Sequence, residues 1–412
     1  MDPSGIRVSA RVAHTYAVRA TINCDLMINN QPVALIYRSQ LLPPSETFIQ
    51  SQTAFMSTFR PYFVGRSRIP GIELPEDSLW VANNGGRLGR LGELRFRILG
   101  PSSELIKRMH ELDPKIAHGH FGPDSCEVIP LAERLNVPLI ATFHGFDATL
   151  TDSALQATRQ GRRYLRQLPE LRTKAKLFVA VSEFIAGRLR QRGFPGDRIR
   201  VHYIGVDTEK FRPETTTARE RQVLFVGRLV EKKGVALLIQ AMELVQGELP
   251  DVELVVIGDG KERQVLETEA RRRLKKFRFS GSQPSSVVRE WMQKAAVLCV
   301  PSVTASDGDA EGLPITLYEA QASGLPVVAF SSAGIPEAVT HEKTGLLATE
   351  RDWRQLGAHL ALLLKNSSLR LEYSRAARQQ AEEKFDIRKQ SAKLERIYEE
   401  VISRCASGNK RV

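Results

Sequence analysis

The sequence predicts an α/β protein of two domains, each a parallel sheet with helices packed on its faces. At 412 residues the chain has room for two or three domains of roughly 100 to 200 residues, each with its own core. Hydrophobic residues make up 42% and charged residues 26%, near globular averages, which excludes a disordered or collagenous chain. From Pro32 onward, short apolar runs alternate with longer helical patterns, and the alternation occurs twice, as repeated β-α units require.

The first thirty residues carry Arg7, Arg11 and Arg19 but no continuous apolar core of the kind a secretory signal needs. Residues 1–30 are read as an N-terminal extension outside the fold, expected to be poorly ordered. The first set of strands is expected at 33–37 (VALIY), 96–99 (FRIL), 115–118 (KIAH), 138–143 (PLIATF), 177–182 (LFVAVS) and 200–204 (RVHYI). Residues 205–221 are polar and turn-rich, as a linker between independently folded halves should be. The second set is expected at 222–227, 253–258, 277–281, 296–301 and 326–330. After Arg351 the pattern is helical, ending in a segment with Ile387, Leu394, Ile397, Tyr398 and Ile402 at helical spacing. The expected domains are 31–205 and 206–385, followed by a terminal helix and tail at 386–412.

No apolar run approaches the ~20 residues of a membrane span. Four cysteines, Cys24, Cys126, Cys299 and Cys405, are scattered without a C-x-x-C pair, which disfavours a disulfide framework or a structural zinc site and suits a reducing cytoplasm. The net charge is +12, a surplus that suits nucleic acid, anionic lipid or a phosphorylated substrate. Much of it falls between Arg159 and Lys176, with seven basic residues against Glu170. Tyr164, Leu168, Leu171 and Ala175 recur there at helical spacing, and Pro169 is expected to start, stop or kink a turn. Two readings stand: Arg162, Arg163 and Arg166 meet an anionic membrane, or they form a solvated face whose apolar stripe packs inward. The basic run 271–278 is expected to face solvent. Neither segment belongs to a recognised nucleic-acid-binding module, so nucleic acid is not the expected partner.

Residues 301–330, PSVTASDGDAEGLPITLYEAQASGLPVVAF, are the most informative. A buried strand ends at Pro301, a polar loop follows, and Pro314 is expected at the first position of a helix. Gly312 lets the backbone approach a ligand, and the helix start offers free N–H groups to phosphate. Glu311 and Glu319 are placed to accept hydrogen bonds from vicinal hydroxyls, one on a sugar and the other on a ribose. Asp307 and Asp309 form a D-x-D, which is also ordinary turn chemistry. In VGRLVEKKG (226–234), Gly227 permits a tight turn while Arg228 and Lys233 reach towards one anion. In ATFHGFDAT (141–149), His144 and Asp147 follow a strand at the edge where α/β folds bind ligands. His118 and His120 lack a carboxylate or cysteine at matched spacing and are read as structural.

EGLPITLYE, ASGLPVVAF and GIPEAV, with VGRL and KKG upstream, resemble the retaining glycosyltransferases of the large family that includes bacterial mannosyl-, galactosyl- and glucosyltransferases. TASDGDAEGLP, the segment HGHFGPDSCEVIPLAERLNVPLIATFHGFDAT and PPSETFI resemble more narrowly the enzymes of colanic-acid-type exopolysaccharide assembly. The resemblance implies the GT-B architecture: two Rossmann-like domains facing a central cleft, with the C-terminal helix crossing back. It implies that Arg228 and Lys233 bind the donor diphosphate, Glu311 the transferred sugar and Glu319 the ribose, with Gly227, Gly312, Leu313 and Pro314 lining the donor site. His144 would stand near the sugar, and Gly258, Gly260, Ser282 and Pro284 would border the base. Many members carry a glycine-rich loop after the first strand. Here YRSQLLPPSETFIQ takes its place, leaving Ser45 and Glu46 as candidate substitutes and Asp147 as a further acceptor-side or phosphate-side candidate.

The implied reaction moves a hexose from a UDP- or GDP-linked donor to an oligosaccharide or lipid-linked acceptor with retention, without metal or other cofactor, in the cytoplasm or at the inner face of the membrane. A nucleotide-sugar epimerase or phosphorylase, and a non-catalytic nucleotide-sugar-binding protein, are the alternatives on the same architecture.

Overall fold

The computed structural model describes residues 31–43, 46–214 and 219–408; the extension 1–30 and Ser45 lie outside the described residues. Its strands fall into two parallel sheets. The first contains β1 (Val33–Tyr37), β2 (Gln40–Leu41), β3 (Arg60–Arg68), β4 (Leu79–Asn83), β5 (Pro114–His120), β6 (Leu139–Phe143), β7 (Leu177–Ala180) and β8 (Ile199–Val201). Their order is β2-β3-β1-β5-β6-β7-β8, with β4 paired to β3. β1, β6 and β7 are buried along their whole length, as strands covered on both faces should be.

The second sheet contains β9 (Glu220–Val226), β10 (Glu253–Ile257), β11 (Phe277–Phe279), β12 (Ala295–Val300), β13 (Val327–Ser331) and β14 (Gly345–Thr349). Its order is β11-β10-β9-β12-β13-β14. Leu224, Val255 and Leu298 pack on one face with the core that continues into the first sheet. Val223, Phe225, Val256 and Cys299 pack on the other against helices Val235–Glu248 and Trp353–Lys365. Successive strand residues thus serve opposite cores.

In both sheets the chain proceeds outward on one side, then returns to build the other. The reversal falls between β1 and β5 in the first sheet and between β9 and β12 in the second. At such a switch point the loops leaving the two central strands diverge and open a crevice.

After β14 the chain is helical to the end of the described residues. The last helix, Ile387–Gly408, crosses back onto the first sheet, burying Leu394, Tyr398 and Val401 in its core. Glu395 fixes the crossing: its carboxylate accepts from the backbone N–H groups of Ser57 (2.8 Å), Thr58 (2.6 Å) and Phe59 (2.9 Å). The two chain crossings meet where Val206 N donates to Phe385 O (2.7 Å) and Ile387 N to Val206 O (2.9 Å).

Three local expectations change. FRIL (96–99) is not a strand but the last turn of helix Gly86–Leu99, whose buried residue is Phe96. Gly89 and Gly92 bring this helix so close to the end of β4 that a Cβ at Gly92 would lie 2.6 Å from Ala82 O. Pro169 does not end its helix, which runs from Arg159 to Lys174 with Thr158 as its cap. The stripe of Tyr164, Leu168 and Leu171 on that helix is buried, and Arg163 pairs with Glu127. Pro314 is the N-cap of helix Ile315–Ala322 and not its first residue.

Candidate functional site

The switch point of the first sheet places Arg38, directly after β1, beside the loop that follows β5. Its guanidinium makes a two-pronged contact with Glu46 (Nε to Oε2 and Nη2 to Oε1, both 2.8 Å), pairs with Asp124 and lies 4.6 Å over the Phe121 ring. Burial opposes its charge, but the two carboxylates more than restore it. Glu46 therefore serves Arg38, a residue the sequence reading passed over although it stands where a glycine-rich loop would begin.

His144 follows β6 and is wedged between Phe48 and Phe121, with ring centroids 4.9 and 4.5 Å away. Its Nε2 lies 3.1 Å from His120 Nδ1, and its own Nδ1 is buried without a hydrogen-bond partner. His120 stacks in turn on His118 at 4.3 Å, and His118 is bonded to Tyr398 Oη and Thr142 Oγ1, each at 2.6 Å. Burial holds all three imidazoles far below their ordinary value, His118 at about 3. They are neutral near pH 7. His120, read as structural from its spacing, is thus a direct neighbour of the candidate His144.

Asp147 turns back towards the chain. It accepts from the N–H groups of Gly122 (2.9 Å), His144 (3.1 Å) and Gly145 (2.9 Å). Burial raises its carboxyl to about 6 against these bonds. Its carboxylate shapes the turn that presents His144 and is not open to a ligand.

The second crevice lies between β9 and β12. After β9 the chain passes Gly227 and exposed Arg228, makes one turn at Glu231–Lys233 and enters helix Val235–Glu248. Gly234 joins them at φ 64°, where a Cβ would lie 1.9 Å from Pro301 O. That contact brings the loop to the end of β12, so Lys233 Nζ lies 2.8 Å from Glu311 Oε1 and Lys232 Nζ 3.0 Å from Asp309 Oδ1. At that distance Lys233 holds Glu311 Oε1 in a buried ion pair. Burial alone would raise the Glu311 carboxyl, but Lys233, Lys232 and Arg228 together hold it below the usual carboxylate value. Adjacent lysines thus take adjacent acids, and only Lys233 was singled out by sequence. Asp309 belongs to Lys232, while Asp307 accepts from Asp309 N in a tight turn (2.9 Å). Among the described residues no three His, Cys, Asp or Glu side chains are grouped to hold a metal.

The loop carrying Glu311 also rests on the first domain. Thr151 N donates to Asp307 O (3.0 Å), and Ala310 N donates to Thr149 Oγ1 (3.1 Å). A Cβ at Gly312 would lie 2.1 Å from His144 O. This approach sets Glu311 and His144, from different domains, on either side of one backbone contact. Glu337, within GIPEAV, completes the closure by accepting from Glu183 N (2.7 Å) and Phe184 N (2.9 Å) at the start of helix Glu183–Gln191.

Leu313 is buried behind the loop, and helix Ile315–Ala322 begins without a side-chain cap. Glu319, one turn in, is half-buried with no hydrogen bond or ion pair to its carboxylate among the described residues. Burial pushes its carboxyl up to about 7, with Lys210 opposing. Gly258 and Gly260 serve loop packing: a Cβ at either would lie 1.8 Å from Gly227 O or 2.3 Å from Leu229 O. Ser282 and Pro284 are exposed on the neighbouring loop, Pro284 capping helix Ser285–Lys294.

Two family profiles match this arrangement, "Glycosyl transferases group 1" over residues 206–380 and "Glycosyltransferase Family 4" over 64–210. The chain is 32% identical over 288 residues to the putative colanic acid biosynthesis glycosyltransferase WcaL of Escherichia coli (strain K12), covering 68% of each chain. It is 30% identical over 309 residues to the amylovoran biosynthesis glycosyltransferase AmsK of Erwinia amylovora, covering 73% of each. The crystal structure of Anabaena HepE in complex with UDP superposes with a TM-score of 0.70 at 18% identity, over 90% of this chain and 100% of that one.

Proposed function

The chain belongs to the group 1 glycosyltransferases and has the GT-B fold, and on that premise we propose that it transfers a hexose, with retention, from a UDP- or GDP-linked donor. The acceptor is an oligosaccharide or lipid-linked saccharide of exopolysaccharide assembly, the setting named for WcaL and AmsK. The observation that carries the reading is the juxtaposition of Lys233, Arg228 and Glu311 at one switch point, with His144 across the Gly312 contact.

In this reaction the bond from the anomeric carbon to the diphosphate breaks, and a new bond to the acceptor oxygen forms on the same face. The acceptor's proton passes to the departing diphosphate oxygen, so no separate protein base is required. Arg228 and Lys233 neutralise the diphosphate as its charge grows, and the uncapped start of helix Ile315–Ala322 adds N–H groups of the same polarity. With that charge met by two side chains and a helix start, metal is not needed. Glu311 accepts from the sugar hydroxyls and Glu319 from the ribose. Neutral His144 lines the sugar side, where an imidazolium would repel the developing positive charge.

The test is a screen of nucleotide sugars by thermal shift and by hydrolysis. One UDP- or GDP-sugar should raise the melting temperature and be slowly hydrolysed. A chain that binds none of them, or binds one and epimerises it, would overturn the proposal.

A further inference from the structure

Helix Gly86–Leu99 reverses the usual arrangement of a surface helix. Its inner stripe is Gly89, Gly92, Glu93 and Phe96, while Leu88 (84% exposed), Leu91, Leu94, Ile98 (68% exposed) and Leu99 stand in solvent. Five of the nine exposed large hydrophobic residues among the described residues lie on this one helix. Glycine occupies the positions a core would fill with leucine, so the leucines do not serve this protein's own core.

The charges follow the same geometry. At helical spacing Leu91, Leu94 and Ile98 form a crest, flanked by Arg90 and Arg97 on one side and Arg95 on the other. None of these arginines makes an ion pair among the described residues. The helix's one acid, Glu93, is turned inward onto Arg66 and Asn83. The basic helix Arg159–Lys174 lies alongside, joined where Arg163 Nη2 donates to Arg97 O (3.5 Å), and adds exposed Arg159, Arg162 and Arg166. That second helix buries its own apolar stripe, so it supplies charge without apolar area. Both elements belong to the first domain.

We propose that helix Gly86–Leu99 is a monotopic docking surface for an anionic phospholipid bilayer: the Leu91, Leu94 and Ile98 crest enters the headgroup boundary, and the flanking arginines pair with phosphates. A crest of exposed aliphatic side chains, with Arg90 and Arg97 on one side and Arg95 on the other, fits a flat anionic layer. No described helix is long and apolar enough to cross one. The surface does not depend on the identity of donor or acceptor.

The test is co-sedimentation of the full chain with vesicles of phosphatidylcholine alone, or with one third phosphatidylglycerol, at low and moderate salt. Wild type should pellet with the anionic vesicles and remain in the supernatant with the neutral ones. Leu91→Ser/Leu94→Ser/Ile98→Ser should lower the bound fraction about tenfold at both salts. Arg90→Gln/Arg95→Gln/Arg97→Gln should lower affinity about fivefold per arginine at low salt, with a smaller effect at moderate salt. All six positions are exposed, so melting curves should match wild type and donor-induced thermal shift should persist. Loss of that shift would report on the transfer proposal instead. The docking surface is overturned if wild type stays in the supernatant with anionic vesicles at low salt, or if the serine variant binds as wild type does. It is equally overturned if, without vesicles, wild type is a dimer that the serine variant converts to monomer, because the crest then receives a second copy of the chain.

Discussion

Lys233 Nζ lies 2.8 Å from Glu311 Oε1, and this ion pair, beside that of Lys232 with Asp309, bridges the loops that leave β9 and β12. On the proposed reading, a donor diphosphate would compete with Glu311 for the Lys233 ammonium.

Opposite substitutions at this pair should therefore have opposite effects on binding. Glu311→Gln should lower turnover by about 10²- to 10³-fold yet bind free nucleoside diphosphate as tightly as wild type or more tightly, since Lys233 no longer has a competing anion. Lys233→Ala and Arg228→Ala should weaken the same ligand, each losing a charge-assisted contact. Calorimetric titration distinguishes these outcomes. Wild-type turnover in Glu311→Gln, or unchanged affinity in both cation variants, would remove the assignment.

Glu319 predicts a pH dependence. Burial places its carboxyl at about 7 in the ligand-free protein, against about 4.3 in an unfolded chain. Between those values the folded state holds the extra proton, so this group's contribution to stability falls as pH rises from about 4.5 to 7 and is level above. Glu319→Gln should flatten that slope and stabilise the empty protein at pH 8 by about 2 kcal/mol, discounted for partial exposure. Hydroxyls of a ribose bind the ionised form, so donor affinity should rise with pH up to about 7 and then plateau. Titrations at pH 6 and 8 check the sign; equal affinities would detach Glu319 from the ribose.

Metal should be dispensable. Asp309 is held by Lys232 and Asp307 by its own turn, and on the proposed reading Arg228, Lys233 and the helix start would meet the donor's charge. Turnover should survive excess EDTA. Complete loss, restored by magnesium or manganese, would move both aspartates into the site.

Glu395 is expected to control the docking of the last helix. Glu395→Ala leaves three backbone N–H groups at residues 57–59 without their acceptor, a loss of about 2 to 3 kcal/mol, while Glu395→Gln retains one acceptor oxygen and should fall between. Hydrogen exchange should accelerate at Ser57, Thr58 and Phe59 before the rest of the first sheet. Unchanged protection there would contradict the clamp.

The repeated parallel sheets were readable because strands such as VALIY and LIATF are apolar on both faces and bounded by turns; His144 follows such a strand directly, while Lys233 and Glu311 stand further along the loops that leave β9 and β12. What escaped notice has physical causes. β3 reads RPYFVGRSR, polar at both ends, and β4 (LWVAN) buries only Leu79 and Val81, so neither reads as a fully covered strand. FRIL satisfies both strand and helix periods, and only the close packing of Gly89 and Gly92 decides between them. Reading it as a strand also concealed the leucine crest. Arg38 and His120 acquire their surroundings from segments distant in the chain, Asp124 and His144. For Lys232 and Lys233, adjacency gives no hint of which meets Asp309 and which Glu311.

The clamp at Glu395 also has a meaning in time. Ser57 is synthesised 338 residues before the carboxylate that receives its N–H, an interval of roughly 17 to 70 s at about 5 to 20 residues per second. Throughout it Phe59 and His118 lack their cover from Tyr398, and the residues of the second sheet are made in the meantime. The turn at Ser57, made early, is completed only by the last helix.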